Sequence, residues 1–355
     1  MRSGEAGVGP RVDRVVAAVL VAVLASVAMM VVGPQARAHA DNRDWLRPDS
    51  TGTCEWDPAL HWIQRCDVWS PSMNKHIPVQ IRPASRGGNG GLYLLGGLTV
   101  EDPNSWVKDS TVYKTFENDN ITLVMPTGGR GSFYADWNGP ANGLPVPEGS
   151  TLPLPGMQLP LNPDYRYETF LTRELPPYLE AHFGVARNNN SIAGMSMGAT
   201  GAMNLAAKYP AQFKQVFSLS GYLTLTVPGA YSVMGLMLLG MGGFNINNLY
   251  GSLMSPKRAE NDPFMNMGGL RDSDVVVVAG SGLPREDDLK DPWSLVVGGG
   301  LEAVSRASTQ LWSGKARLEG VVDTEVYPPV GLHNWPLWND VMNQNRGRIL
   351  QALGA

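Results

Sequence analysis

Residues 190–198 read Asn190-Ser191-Ile192-Ala193-Gly194-Met195-Ser196-Met197-Gly198, and ATGAMNLAAKY follows from Ala199 to Tyr209. The centre of this stretch, residues 194–198, is a complete G-x-S-x-G. Asn190–Ala193 has the apolar character of a short buried strand, and Ala199–Tyr209 is rich in small residues and helix formers. Strand, sharp turn and helix is the setting in which this pentapeptide becomes a nucleophile elbow, with the serine oxygen standing at the top of a sheet. The two glycines let strand and helix approach closely, because a side chain there would clash. A glycine-rich turn that merely contains a serine is the competing reading, and the flanking patterns weigh against it.

Working outward, further apolar runs have strand length and strand residues. Val79-Gln80-Ile81 reads as a first strand. Leu92–Leu95 ends at Gly96-Gly97, and Ile121–Met125 stops at Pro126. Val216–Leu219, Val275–Val278 and Val321–Tyr327 complete the set. Phe170–His182 reads as an amphipathic helix. Strands alternating with helices imply an α/β fold, a mostly parallel central sheet with helices on both faces. Asn138–Asp164 is rich in Pro and Gly without periodicity and reads as a long surface loop. Val227–Leu253 is apolar and carries Met234, Met237 and Met241 with Leu236, Leu238 and Leu239. It fits an ordinary core helix, or a lid-like insertion walling a flexible apolar ligand, which methionine suits.

The N-terminus reads as an export signal. Arg2, Arg11 and Arg14 precede an apolar run from Val15 to Val32, interrupted only by Ser26, and Ala36-Arg37-Ala38 and Ala38-His39-Ala40 offer small-x-small cleavage sites. That run is also just long enough to span a membrane. The expected organisation is a signal peptide over 1–40, cleaved near Ala38 or Ala40, and one catalytic domain over 41–355. The expected location is secreted or attached to the cell envelope. Cys54 and Cys66, the only cysteines, lie beyond that cleavage point. In an exported protein an even pair reads as a disulfide closing a local loop. Residues 1–40 carry four Arg against one Asp and one Glu, which leaves the remainder of a chain of net charge −4 at −6. Such a surface argues against nucleic acid as a partner. The sequence gives no metal-ligand cluster and implies no cofactor, and a monomer is expected.

A serine hydroxyl needs a base. Beyond residue 40 the histidines are His61, His76, His182 and His333. The first two precede the sheet core, and His182 ends a helix. His333 follows the last predicted strand and precedes the final helix, where the base of a Ser–acid–His order falls. The acid must lie between them. Glu286, Asp287 and Asp288 follow the Val275–Val278 strand, and spacing alone favours that cluster. Glu302 lies further on, after Gly298-Gly299-Gly300. The oxyanion that develops on a carbonyl needs donors. The Met197 amide is one, and the Leu98 amide in Gly96-Gly97-Leu98 is the candidate for the second.

These segments together resemble the antigen 85 and corynebacterial mycolyltransferase family from about Ser70 to the C-terminus. Ser70-Pro71-Ser72-Met73 resembles the approach to the family's first strand. Tyr93-Leu94-Leu95-Gly96-Gly97-Leu98 resembles its YLLDGL loop. Val124–Gly129 and Ser132–Trp137 resemble VMPxGG and SFYxDW, Glu168–Pro176 resembles ETFLTxELP, and Gly331–Pro336 resembles GTHSWP. The resemblance implies an α/β-hydrolase fold and a serine triad for acyl transfer. It also moves the acid to Glu302 in Leu301-Glu302-Ala303, against the spacing argument. It implies transfer of a mycoloyl chain from trehalose monomycolate to a second sugar lipid or a cell-envelope acceptor. Met234, Met237, Leu238 and Met241 would then hold the acyl chain, and Gly97, Thr99 and Trp335 would face the sugar. The family's aspartate is Gly96 here and its following arginine is Thr99, so a charged sugar clamp is missing. A carboxylesterase or lipase with the same triad and water as acceptor is the alternative.

Overall fold

Eight strands build the sheet that carries the site: β1 (Gln64–Ser70), β2 (Lys75–Arg82), β3 (Gly90–Leu95), β4 (Ile121–Pro126), β5 (Asn190–Met195), β6 (Phe213–Leu219), β7 (Asp274–Val278) and β8 (Asp323–Val326). Their order across the sheet is β1-β2-β4-β3-β5-β6-β7-β8, with the two-residue strand Glu55–Trp56 added outside β1. From β4 to β8 all neighbours are parallel, whereas β1, β2 and β4 pair antiparallel. This computed structural model describes residues 42–141 and 163–355 apart from 253, 291 and 293. The expected signal segment 1–40 and most of the expected 138–164 loop lie outside the described residues. Those described belong to one compact unit, Asp41–Ala355.

The burial of each strand follows from its cover. β3, β4 and β5 are buried at every position, as strands with helices on both faces must be. Side chains alternate across the pleat. Thus Tyr93, Val275 and Val277 enter one core, while Leu92, Leu94, Val276 and Val278 enter the other. The first core is closed by α1 (Leu175–Phe183), α2 (Met197–Lys208) and α3 (Ala230–Gly242). The second is closed by α5 (Trp335–Gln344) and α6 (Arg346–Leu353), which follow α4 (Gly299–Leu318). Each buried Val or Leu contributes about 1.5–3 kcal/mol.

Two expectations need correction. The first long strand is β1, not the run around Val79, which belongs to β2. The predicted helix 170–182 opens as a π-helix over Phe170–Glu174 and becomes α1 only at Leu175. Pro176 and Pro177 have no N–H to give to the preceding turn, so its hydrogen-bonding pattern widens.

Cys54 and Cys66 are joined by a disulfide across 12 residues, tying the segment before Glu55 to β1. A cross-link of this loop length stabilises by about 2–3 kcal/mol. The Cys54→Ser/Cys66→Ser protein should therefore melt several degrees below the parent. Equal midpoints in paired thermal scans would contradict a stabilising role. No helix among the described residues is long and apolar enough to cross a membrane.

Candidate active site

Because β3, β5, β6 and β7 run parallel, the turns that leave their C-terminal ends gather along one edge of the sheet. Those turns carry Gly96–Leu98, Ser196, Ser220 and Gly280.

Ser196 links β5 to α2 with φ 54° and ψ −119°, a backbone state that costs a non-glycine residue about 1–3 kcal/mol. Surrounding bonds hold it there. Its amide donates to Leu219 O at 2.9 Å, and its carbonyl accepts from the Ala199 amide at 3.0 Å. A Cβ at Gly194 would stand 2.1 Å from Gly198 O, and one at Gly198 would stand 2.5 Å from both Gly96 O and Leu95 O. Strand, elbow and helix thus meet at backbone distance, as the pentapeptide predicts.

The oxyanion candidates flank this serine. Met197 opens α2, where the first amides lack an intrahelical acceptor and the helix dipole favours negative charge. Leu98 follows Gly97, whose Cβ position lies 3.8 Å from Ser196 Cβ. The Ser132–Trp137 segment braces this loop. Tyr134 Oη donates to Gly96 O at 3.3 Å, and the Gly131 amide donates to Leu98 O at 3.0 Å.

His333 lies between β8 and α5, and Glu302 lies in the first turn of α4. His333 Nδ1 is 2.8 Å from Glu302 Oε2. A carboxylate only accepts, so the ring donates its Nδ1 proton, and Nε2 is left as the acceptor of the neutral imidazole. That Nε2 is buried with no partner among the described residues. Glu302 is 0 % exposed, and a buried carboxylate must be paired. Its Oε1 takes the Gly280 amide at 2.6 Å and the Ser220 hydroxyl at 2.8 Å.

Of the rival acidic cluster, the Asp287 side chain lies outside the described residues, and the other two do not reach His333. Asp288 accepts from the Arg285 amide at 2.8 Å and from Asn334 Nδ2 at 2.7 Å, and Glu286 is exposed. The acid that reaches His333 is therefore Glu302. The spacing argument failed because chain distance does not show that α4 starts over the end of β7.

Thr99 is exposed beside the oxyanion loop. Gly96 is packed: a Cβ there would lie 2.6 Å from Val100 Cγ2. An ion pair, Arg130–Glu101, stands near Thr99 and was not anticipated from sequence. Trp335 is half-buried, packed edge-on to Trp106 and Trp338 with centroids 5.3 and 5.2 Å away. In α3, Met234 and Leu238 are buried in the core and Met237 is half-buried, while the Met241 side chain lies outside the described residues. A Cβ at Gly131 would stand 3.2 Å from Leu238 of this helix and 2.8 Å from Phe244 just beyond it, so both pack behind the residue whose amide bonds Leu98 O.

Tyr222 was also missed. Its ring lies 6.2 Å from that of His333, and its hydroxyl is buried without a partner among the described residues. Burial pushes the phenol well above its ordinary range, and the Glu302 charge adds to this. It stays neutral, and a neutral hydroxyl can donate.

Comparisons with known proteins agree with this architecture. Residues 70–349 match the Esterase family. The diacylglycerol acyltransferase/mycolyltransferase Ag85C of Mycobacterium leprae is 30 % identical over 301 residues, spanning 82 % of each chain. The protein of the same description, Ag85A, from Mycobacterium tuberculosis is 31 % identical over 297 residues, again 82 % of each. The crystal structure of MPT51 from Mycobacterium tuberculosis superposes with a TM-score of 0.68 at 24 % identity, over 82 % of this chain and 98 % of that one. At that identity the likeness speaks for the α/β-hydrolase fold alone. A family match across most of the chain, with relatives of this identity, makes the chain a member of the Esterase family within the group that includes the Ag85 mycolyltransferases.

Proposed function

We propose that the chain is a secreted serine acyltransferase that moves a mycoloyl or similar long acyl group from trehalose monomycolate to a second trehalose lipid or a cell-envelope acceptor. The observation that carries this reading is the buried Glu302–His333 pair, whose free Nε2 shares a sheet edge with the strained Ser196. In this reading Ser196 Oγ attacks the ester carbonyl while His333 Nε2 takes its proton. The Leu98 and Met197 amides hold the oxyanion. Collapse releases trehalose, which takes the proton from His333 and leaves an acyl-serine. An acceptor hydroxyl, deprotonated by His333, then takes the acyl group and restores Ser196. Glu302 keeps the imidazole in the required tautomer and stabilises its charged form.

Lipid handling is supported by α3, which is apolar on its outward side too: Val233, Leu236 and Leu239 are exposed. The Ag85 names of the relatives point to the same substrate class. Residues 1–40 act as the cleaved signal, and 41–355 act alone as a monomer.

A carboxylesterase reading is favoured by one observation, the lack of a charged clamp at Gly96 and Thr99. The test is incubation of the mature domain with trehalose monomycolate and separation of the lipid products. Trehalose dimycolate in excess over free mycolate is expected. Free mycolate alone, in the presence of wall acceptors as well, would replace the transferase by the esterase.

A further inference from the structure

We infer that Ser220 and Trp338 are positioning residues, which together fix Glu302 and His333 in one working orientation. The inference rests on the triad reading above. Ser220 follows β6 with its amide on Val278 O at 2.8 Å. Its φ is 56°, a left-handed backbone that favours glycine and costs a serine about 1–2 kcal/mol. A position that glycine would fill with less strain carries a hydroxyl, and that hydroxyl is fully buried.

The hydroxyl's direction follows from its neighbours. Trp338 Nε1 lies 2.9 Å from Ser220 Oγ. An indole N–H only donates, so Ser220 must accept from it. The single Ser220 proton is then directed to its other neighbour, Glu302 Oε1, at 2.8 Å. Of the two donors on that oxygen, Gly280 N–H is backbone and Ser220 is the one set by a side chain. Trp338 acts a second time through its ring, which meets the His333 ring edge-on at 5.2 Å and 86°. One residue of α5 thus braces the acid through a hydroxyl and the base through its ring. Neither Ser220 nor Trp338 needs to touch substrate.

The test uses the mature enzyme with p-nitrophenyl butyrate, and active sites are counted with a fluorophosphonate. Ser220→Ala should lower kcat per active site about tenfold or more, with KM within twofold of the parent. Ser220→Gly removes the hydroxyl while relieving the backbone, so a similar kcat loss there cannot come from a distorted turn. Trp338→Phe keeps an aromatic edge against His333 and frees the Ser220 proton, and a smaller kcat loss is expected. Because the indole N–H acts through Ser220, the Ser220→Ala/Trp338→Phe protein should match Ser220→Ala alone. Parent-like kcat in both Ser220 variants, or losses that multiply in the double variant, would overturn the inference. If Ser196→Ala or His333→Ala kept turnover, the triad reading itself would fail, whatever Ser220 did.

Discussion

Ser196→Ala should fold like the parent and lose ten-thousand- to million-fold in kcat. Alanine keeps the Cβ, so the strained backbone at φ 54° is unchanged and the elbow neither gains nor loses its anchoring bonds to Leu219 and Ala199. Only the oxygen goes, and with it any covalent intermediate. Transition-state stabilisation by the Leu98 and Met197 amides would survive, which is why a small residual rate above water is expected. Mass spectrometry after incubation with a long-chain p-nitrophenyl ester should show an acylated parent and an unmodified variant. An acyl adduct on the variant would place the nucleophile elsewhere.

Gly194→Ala should have a large effect on folding. The new Cβ would meet Gly198 O at 2.1 Å and Gly198 C at 2.2 Å. Backbone cannot rotate away as a flexible side chain can. Gly198 has no room to retreat, since its own Cβ position is 2.5 Å from Gly96 O and Leu95 O. The displacement would therefore pass from β5 through α2 into the oxyanion loop. A loss of about 3 kcal/mol or more is expected, at the upper end for overpacked sites. Gly314→Ala is the matched control: it lies inside α4 with nothing within 4 Å of the added carbon. That change should stabilise by about 0.5–1 kcal/mol. Chemical denaturation of the two variants reads the difference directly, and near-equal midpoints would contradict the close-approach account of the elbow.

The parts legible in the sequence are those whose cause is local. G-M-S-M-G carries its own steric reason, and Val275–Val278 and Ile121–Met125 could be read as strands because burial on both faces demands continuous apolar runs. β1 escaped notice because only one of its faces is covered. Arg65, Asp67 and Trp69 alternate with Cys66 and Val68, so its apolar content is halved. The site divides the same way. Motif and chain order point to Ser196 and His333 as candidates, whereas the choice of Glu302 rests on the resemblance. Ser220, Tyr222 and Trp338 come to lie beside Glu302 or His333 through tertiary contacts that no spacing along the chain reveals. Other family segments explain themselves only in three dimensions. Glu174 accepts from Ser70 Oγ and the Ser72 amide, and Asp136 accepts from the Thr169 amide and hydroxyl, so motifs about a hundred and about thirty residues apart are halves of single hydrogen-bonded units.

The packing around Gly96 ties that position to its neighbour Val100. The resemblance described above implies an aspartate at that position, yet here Val100 Cγ2 and Cβ would stand 2.6 and 2.9 Å from any Cβ. An aspartate acquired alone would collide with Val100, and a smaller residue acquired alone at 100 would open a cavity beside the oxyanion loop. Either first step is costly, and only the pair restores a fit. Positions 96 and 100 are therefore sterically interlocked, and an engineered acidic side chain at 96 requires a matching reduction at 100.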